Sequence, residues 1–298
     1  MLSKDKVVVI GGAGFLGSHL ADSLSDAGYN VTLFDIRESL WDREDQEMVM
    51  GDVMDTQMVT EVISDAKYVY HLAGIADIDE AAAKPRETVI KNIVGSTNVI
   101  EACISAGVEK LLFASTVYVY SDKGSFYRVS KQAVELLLEN YHKEFGIQYT
   151  TLRYGSLYGP RSQEWNGLKK FVAQAVRNKK ITYPGTGDEH REYIHVKDAA
   201  FLSVKAIDSQ YDNQSLILTG TQVMTTRQVL TMIAEILNEP IDLDFAPSGS
   251  TFNRFHYQMT PYRYTPKPGR KLVTDCFIDL GQGILDMIDE VHQNISGQ

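Results

Sequence analysis

Apolar positions change period repeatedly along the first half of the chain. Residues 6–10, KVVVI, form a β-branched run, and the next apolar positions, Leu16, Leu20 and Leu24, recur at helical spacing until Gly28. NVTLFD at 30–35 returns to a strand pattern. The opening therefore reads as strand, glycine turn, helix, strand, and a crossover of that kind makes the two strands parallel. Strand patterns at 47–52 and 66–74 flank a helical stretch at 56–64. Pro85 suits the first turn of a helix running to about Ala106 and closed by Gly107. A strand at 109–116 follows, then a helix from about Tyr127 to Phe145 with Val129, Ala133, Leu136 and Leu137 on its predicted apolar face, then a strand at 147–155. Apolar strands separated by helices predict an open parallel sheet covered on both faces.

After YGPR at 158–161 this rhythm loosens, and Pro184, Pro240, Pro247, Pro261, Pro266 and Pro268 imply more turns and shorter elements. The expected division is a first domain over 1–160 and a smaller lobe over 161–298, packed on the carboxyl edge of the sheet. A stretch at about 193–208 is expected to return to the first domain. The chain shows no internal repeat.

Composition narrows the class of partner. With 44% apolar and 23% charged residues, the 298-residue chain has the balance of a globular protein. Its net charge of −10 opposes general binding to nucleic acid or to anionic membranes. No uncharged apolar run approaches the roughly 18 to 20 residues that span a bilayer, and the apolar start reads as a strand rather than a secretion signal. Cys103 and Cys276 make neither a disulfide framework nor a metal-site spacing, which fits a reducing, cytoplasmic setting with no metal expected.

Chemistry enters at two places. Gly11, Gly14 and Gly17 lie between the first strand and the first helix. Such a turn lets the chain reverse tightly, brings backbone amides to a pyrophosphate, packs helix on sheet, and aims a helix N-terminus at the anion. Asp35, at the end of the second strand, stands where a carboxylate accepts hydrogen bonds from the adenosine ribose hydroxyls. That favours NAD, while neighbouring Arg37 is the feature that would admit NADP. Second, Tyr127 and Lys131 stand four positions apart and share a helix face. A free phenol has a pKa of about 10, and a nearby cation lowers an acid's pKa by about 1 to 3. Lys131 and the positive ring of oxidised NAD are thus expected to make Tyr127 usable as an acid or base near neutral pH. His71 and His195 read as ordinary hydrogen-bonded histidines.

The run GGAGFLG, with GDVMD at 51–55, HLAG at 71–74, NIVGSTNVIEA at 92–102, YRVSK at 127–131, LRYGSLYGPR at 152–161 and REYIHVKDAA at 191–200, resembles the extended short-chain dehydrogenase/reductase superfamily, and within it the nucleotide-sugar epimerases and dehydratases. The resemblance implies a Rossmann-type doubly wound parallel α/β sheet with a smaller C-terminal α/β substrate lobe. It implies NAD held by Gly11, Gly14, Phe15, Leu16, Gly17 and Asp35, with Asp52 and Val53 flanking adenine and Leu72, Ala73 and Gly74 along the pyrophosphate. Asn92 would support the strand ends, Lys131 would bond the nicotinamide ribose, and Tyr154 would pack beside nicotinamide. Aligned with the family's Ser-Ser-Ser-x-x-Val-Tyr-Gly, ASTVYVYS puts Thr116 at the third serine, with Ser115 the alternative. Two departures stand out: only ten residues separate Thr116 from Tyr127, and Ser121 replaces the glycine after Val-Tyr.

By the same resemblance Arg191 grips the diphosphate of a nucleotide sugar, a role that suits a guanidinium because it can bind two phosphate oxygens at once. Arg263 would assist, and Asn166 and Ser156 would contact substrate, although Ser156 stands where relatives often carry asparagine. Val117 and Tyr118 follow Thr116 where a dehydratase or decarboxylase carries acidic residues. The expected activity is therefore a nucleotide-sugar epimerase, acting at C4 through a keto-sugar. A dehydrogenase or keto-sugar reductase, and a non-catalytic NAD-binding regulator, are the alternatives. A homodimer through helices at 85–106 and 127–145 is the expected assembly.

Overall fold

A computed structural model describes residues 5–246 and 256–262. Seven parallel strands form the main sheet in the order β10, β6, β5, β4, β1, β2, β3. They are β1 Lys6–Ile10, β2 Asn30–Asp35, β3 Gln46–Met50, β4 Tyr68–His71, β5 Lys110–Thr116, β6 Tyr149–Tyr154 and β10 Gln214–Leu218. Their sequences are apolar throughout because both faces are buried. Val7 and Val9 of β1 join one core with Leu20 and Leu24, whereas Val8 and Ile10 join the opposite core with Val59, Val99 and Leu138.

Helices α1 Phe15–Asp26 and α8 Val196–Lys205 cover the first face, and α2 Thr56–Ile63, α5 Gly95–Ala106 and α6 Ser125–Phe145 cover the second. The chain runs outward one way from β1 to β2 and β3 and the other way from β4, so the order reverses between β1 and β4. A crevice opens at such a point beyond the carboxyl ends of the strands.

The expected helix from Pro85 to Ala106 is continuous and ends at Gly107, but it widens into a π turn at its middle. Short helices α3 Ile78–Ala83 and α4 Pro85–Val89 lead into a π-helical turn at Ile90–Val94 before α5. The wider turn carries Asn92 inward to 2% exposure, where its amide is fully used. The predicted apolar face of α6 also needs correction. Val129 and Leu136 are exposed, and the buried positions are Ser130, Lys131, Val134, Glu135 and Leu138. Polar groups occupy this interior face because each is hydrogen-bonded there.

The later residues add a sheet of β11 Val223–Thr225, β9 His190–His195 and β7 Ser156–Tyr158, and a two-stranded sheet of β12 Asp242–Phe245 with β8 Lys180–Tyr183. Helices α7 Gly167–Asn178 and α9 Thr226–Leu237 share a separate core with them through Ala175, Ile181, Tyr183 and Leu230. From β9 the chain passes into α8, whose Ala199 and Ala200 pack in the core of α1. Among the described residues, no helix is long and apolar enough to cross a membrane.

Candidate active site

The glycine turn is tied to its neighbours by backbone atoms. Gly11 has φ +88°, donates its N–H to Phe34 O at 2.8 Å, and leaves a side chain no room: a Cβ there would lie 2.7 Å from Ala73 N. At Gly17 a Cβ would meet Gly11 O at 2.1 Å, so α1 can approach the turn this closely only without a side chain. Gly14, the N-cap of α1, meets nothing nearer than Gly11 O at 3.1 Å. The first turn of α1 carries no acidic residue, so nothing in it competes with an anion for the N–H groups. Phe15 and Leu16 point into the core, and only their backbone can face a ligand.

Asp35 Oδ2 accepts the Ala13 N–H at 3.1 Å, which draws the carboxylate to the same turn. Burial raises its pKa, opposed by that hydrogen bond and by the Arg37 charge. Across the crevice Leu72 N and Ala73 N both donate to Ile10 O, at 2.8 and 3.0 Å. Gly74, with φ +146°, lies against Asn92. Asn92 accepts the Ile75 N–H at 2.7 Å and donates to Ile75 O and Ser130 Oγ at 2.9 and 3.0 Å, clamping this loop to α6. Asp52 is exposed and caps the Met54 N–H, while the Val53 side chain is buried against Gly95 and its carbonyl accepts Asn98 Nδ2 at 2.9 Å. These residues fit a dinucleotide: glycines where a side chain would block approach, donors at a helix start, and a carboxylate at the end of β2.

At the end of β5 the Thr116 hydroxyl is near enough to the Tyr127 phenol to lower its pKa, and Thr116 Oγ1 accepts the Tyr118 N–H at 3.3 Å. Ser115 is not available as the alternative, because its hydroxyl donates to Glu135 Oε1 at 2.5 Å. Glu135 also receives Arg153 Nε and Nη2 at 3.0 and 2.6 Å, and Arg153 reaches the Tyr120 hydroxyl. This buried network locks the ends of β5 and β6 to α6. Lys131 Nζ donates to Ala114 O at 2.7 Å and lies 4.7 Å from the centre of the Phe113 ring.

The expected acidification of Tyr127 by Lys131 is not found in the chain itself. Burial pushes the Tyr127 phenol up to about 12, and the neighbouring Thr116 hydroxyl lowers it only in part. Burial equally brings Lys131 down to about 8, with Glu135 opposing the fall. The reason is geometric: the ammonium faces Ala114 O and sits 5.9 Å from the centre of the Tyr127 ring.

On the side of β9, Arg191 bonds its Nη1 to His190 O at 2.9 Å and stacks on Tyr257, 4.5 Å from the ring centre. Among the described residues it has no carboxylate partner. Tyr257 is 5% exposed and packs 4.5 Å from the Tyr118 ring, whose hydroxyl is 3.0 Å from His256 Nδ1. The Gln258 carbonyl accepts the His190 N–H at 2.7 Å, fixing this strand-like segment beside β9. Tyr118, Tyr257, His256 and Glu135 were not anticipated as site residues. Glu135, one helical turn beyond Lys131, was detectable from spacing; the aromatic cluster joins distant parts of the chain and had no local signal.

Tyr154 and Asn166 meet partners other than those expected, while the two histidines are hydrogen-bonded as expected. Tyr154 lies in the core beneath the sheet, its hydroxyl 2.6 Å from Ser203 Oγ, so it does not face the crevice. Asn166 caps α7 by accepting the Lys169 N–H and donates to Leu157 O, so both ends of its amide hold the fold. His71 is a neutral core histidine bonded to Ser96, brought down to about 3 by burial, and His195 caps α8. Ser156 is partly buried on β7 in register with Tyr193. Arg263 lies outside the described residues.

A reversing parallel sheet, a glycine turn at a helix N-terminus and a hydroxyl pair with a buried lysine define a Rossmann-type dinucleotide enzyme. Residues 7–217 match the NAD dependent epimerase/dehydratase family, and the chain belongs to that family. It is 28% identical over 277 residues to a UDP-glucose 4-epimerase of Corynebacterium glutamicum, covering 81% of this chain and 83% of the relative. It is 24% identical over 296 residues to a UDP-N-acetyl-alpha-D-glucosaminuronate decarboxylase of Bacillus cytotoxicus, covering 90% and 89%. The solved complex of Thermus thermophilus UDP-glucose 4-epimerase with NAD superposes with a TM-score of 0.75 at 26% identity, over 88% of this chain and 90% of that one. The relatives thus include both epimerase and decarboxylase chemistry on nucleotide sugars.

Proposed function

We propose that the protein is an NAD-dependent nucleotide-sugar epimerase that inverts the hydroxyl-bearing C4 of a uridine-diphosphate hexose through a transient ketone. The observation that carries this reading is the nearness of the Thr116 and Tyr127 hydroxyls beyond β5, together with Arg191, which among the described residues has no carboxylate partner and lies over Tyr257. NAD, when bound, supplies a reversible hydride acceptor. Thr116 orients the sugar hydroxyl, and Tyr127 takes its proton and later returns it. Because Lys131 is turned to Ala114 O, the positive charge that lowers the Tyr127 phenol from about 12 would come chiefly from the ring of oxidised nicotinamide. Arg191, its plane set by Tyr257, meets the diphosphate.

No carboxylate follows Thr116 to assist elimination or decarboxylation: the next two residues are Val117 and Tyr118. That favours epimerisation over the decarboxylase chemistry of some relatives. Incubation with UDP-, GDP-, dTDP- and CDP-sugars, followed by NMR of the products, tests the reading. A C4 epimer with no net NADH is the expected result; net NADH would instead mark a dehydrogenase, and absence of any product with NAD bound would mark a regulator.

The same reading includes a cytoplasmic location, a substrate lobe over 161–298, and a dimer. Exposed Val89, Ile90 and Val94 on one helical segment and Phe126, Val129 and Leu136 on α6 support pairing across these helices. Sedimentation as a dimer that Leu136→Glu converts to monomer is expected; a wild-type monomer at micromolar concentration rejects it.

A further inference from the structure

Tyr118 and His256 form a phenol and imidazole pair that epimerisation at C4 does not use. The Tyr118 oxygen lies 3.0 Å from His256 Nδ1, and both side chains are partly exposed. The Tyr118 backbone N–H bonds to Thr116 Oγ at 3.3 Å, so the pair begins beside the hydroxyl that orients substrate. Its ring is 4.5 Å from that of Tyr257, which in turn stacks on Arg191. Tyr118 is near enough to Tyr127 and Arg191 for both to act on its phenol, whose pKa burial raises. The ring is held there by Gly124, where a Cβ would lie 2.7 Å from Tyr118 Cδ1.

We infer that Tyr118 and His256 are a second proton-transfer pair, which removes and returns the proton on a ring carbon adjacent to the ketone of a 4-keto nucleotide sugar. This rests on the reading of the site as one for nucleotide sugars. The C–H proton passes to the Tyr118 oxygen as the phenolic proton passes to His256 Nδ1. The C–H bonding electrons become the carbon–carbon double bond of the enolate, whose negative charge rests on the former ketone oxygen beside Thr116 and Tyr127. The reverse transfers restore the ketone, so no oxidant or reductant is consumed. Burial lowers the His256 pKa, with Asp79 and Asp77 partly opposing it, so a neutral imidazole is present to receive the proton.

The test supplies the ketone directly. A nucleoside-diphosphate 4-keto-6-deoxyhexose is incubated in D2O with the NAD-loaded protein, and deuterium at C3 and C5 is followed by NMR. Exchange about a hundredfold above the protein-free rate is expected, falling close to that rate in Tyr118→Phe and in His256→Gln, with melting temperature and NAD affinity measured on each variant to verify folding. Wild-type exchange no faster than the blank overturns the inference, as does exchange in Tyr118→Phe at the wild-type rate. Epimerisation of a UDP-hexose is scored separately: exchange without epimerisation upholds the pair while sinking the C4 assignment, and epimerisation without exchange does the reverse.

Discussion

Where the crevice meets α1, main chain closes on main chain: a Cβ on Gly17 would strike Gly11 O and one on Gly11 would strike Ala73 N, while the Asp35 carboxylate takes the Ala13 N–H. On the opposite wall Arg191, Tyr257, Tyr118 and His256 meet through the faces and tips of side chains. A wall made of main chain has no slack, because any added atom collides with something that cannot rotate away. A wall made of side chains can be altered one group at a time without moving the strands beneath. The cofactor side should therefore fail abruptly on substitution, and the sugar side should change by degrees.

The largest effect is expected from Gly17→Ala. Its Cβ would fall 2.1 Å from Gly11 O, and overpacking typically costs about 1 to 3 kcal/mol. Thermal unfolding should show a lower melting point and titration should show no measurable NAD binding; normal NAD affinity would refute the backbone account. Next comes Tyr127→Phe, which should retain NAD yet lose about 10²- to 10⁴-fold in kcat, the usual range for a general acid–base group.

A smaller change separates ring from hydroxyl at Tyr257. Loss of a cation–π contact is worth about 0.5 to 2 kcal/mol, so Tyr257→Ala should raise KM for the nucleotide sugar about tenfold while Tyr257→Phe stays near wild type. Equal damage from both would deny that the ring positions Arg191.

The smallest effect concerns Lys131. Its folded pKa of about 8 lies below the ordinary 10.5, so the unfolded chain holds more protons between these values. This group alone therefore makes stability rise as pH climbs from about 8 to 10.5. Activity should move the other way, falling above about 8 if the Lys131 ammonium is the group that would hold the nicotinamide ribose. Glu135→Gln removes the charge that opposes the fall, so the alkaline limb of the pH–rate profile should shift to lower pH. A limb that stays in place would show that Lys131 does not set it.

Much of the cofactor side was legible because it depends on neighbours in sequence. The glycine spacing, the end of β2 and the one-turn separation of Tyr127 from Lys131 are local facts. The choice of Thr116 over Ser115 needed three dimensions, since it turns on Glu135 holding the serine. The face of α6 was misjudged for a related reason. Apolarity alone pointed to Val129 and Leu136, but Lys131 and Glu135 turn inward because partners await them in β5 and β6. Asn166 and Tyr154 carry groups suited to binding, and only their partners reveal that Leu157, Lys169 and Ser203 already engage them. The residues beside Arg191 were hidden because Tyr257 follows a long excursion of the chain.

The passage from β9 into α8 has a mechanical corollary. Arg191 rides on the strand whose last residue, His195, caps a helix glued beneath the sheet by Tyr70 on Ser203 O and by Tyr154 on Ser203 Oγ. The guanidinium is thus a short lever on a bolted axle. A change at the buried serine would therefore reach Arg191 through the helix and the strand that carries it.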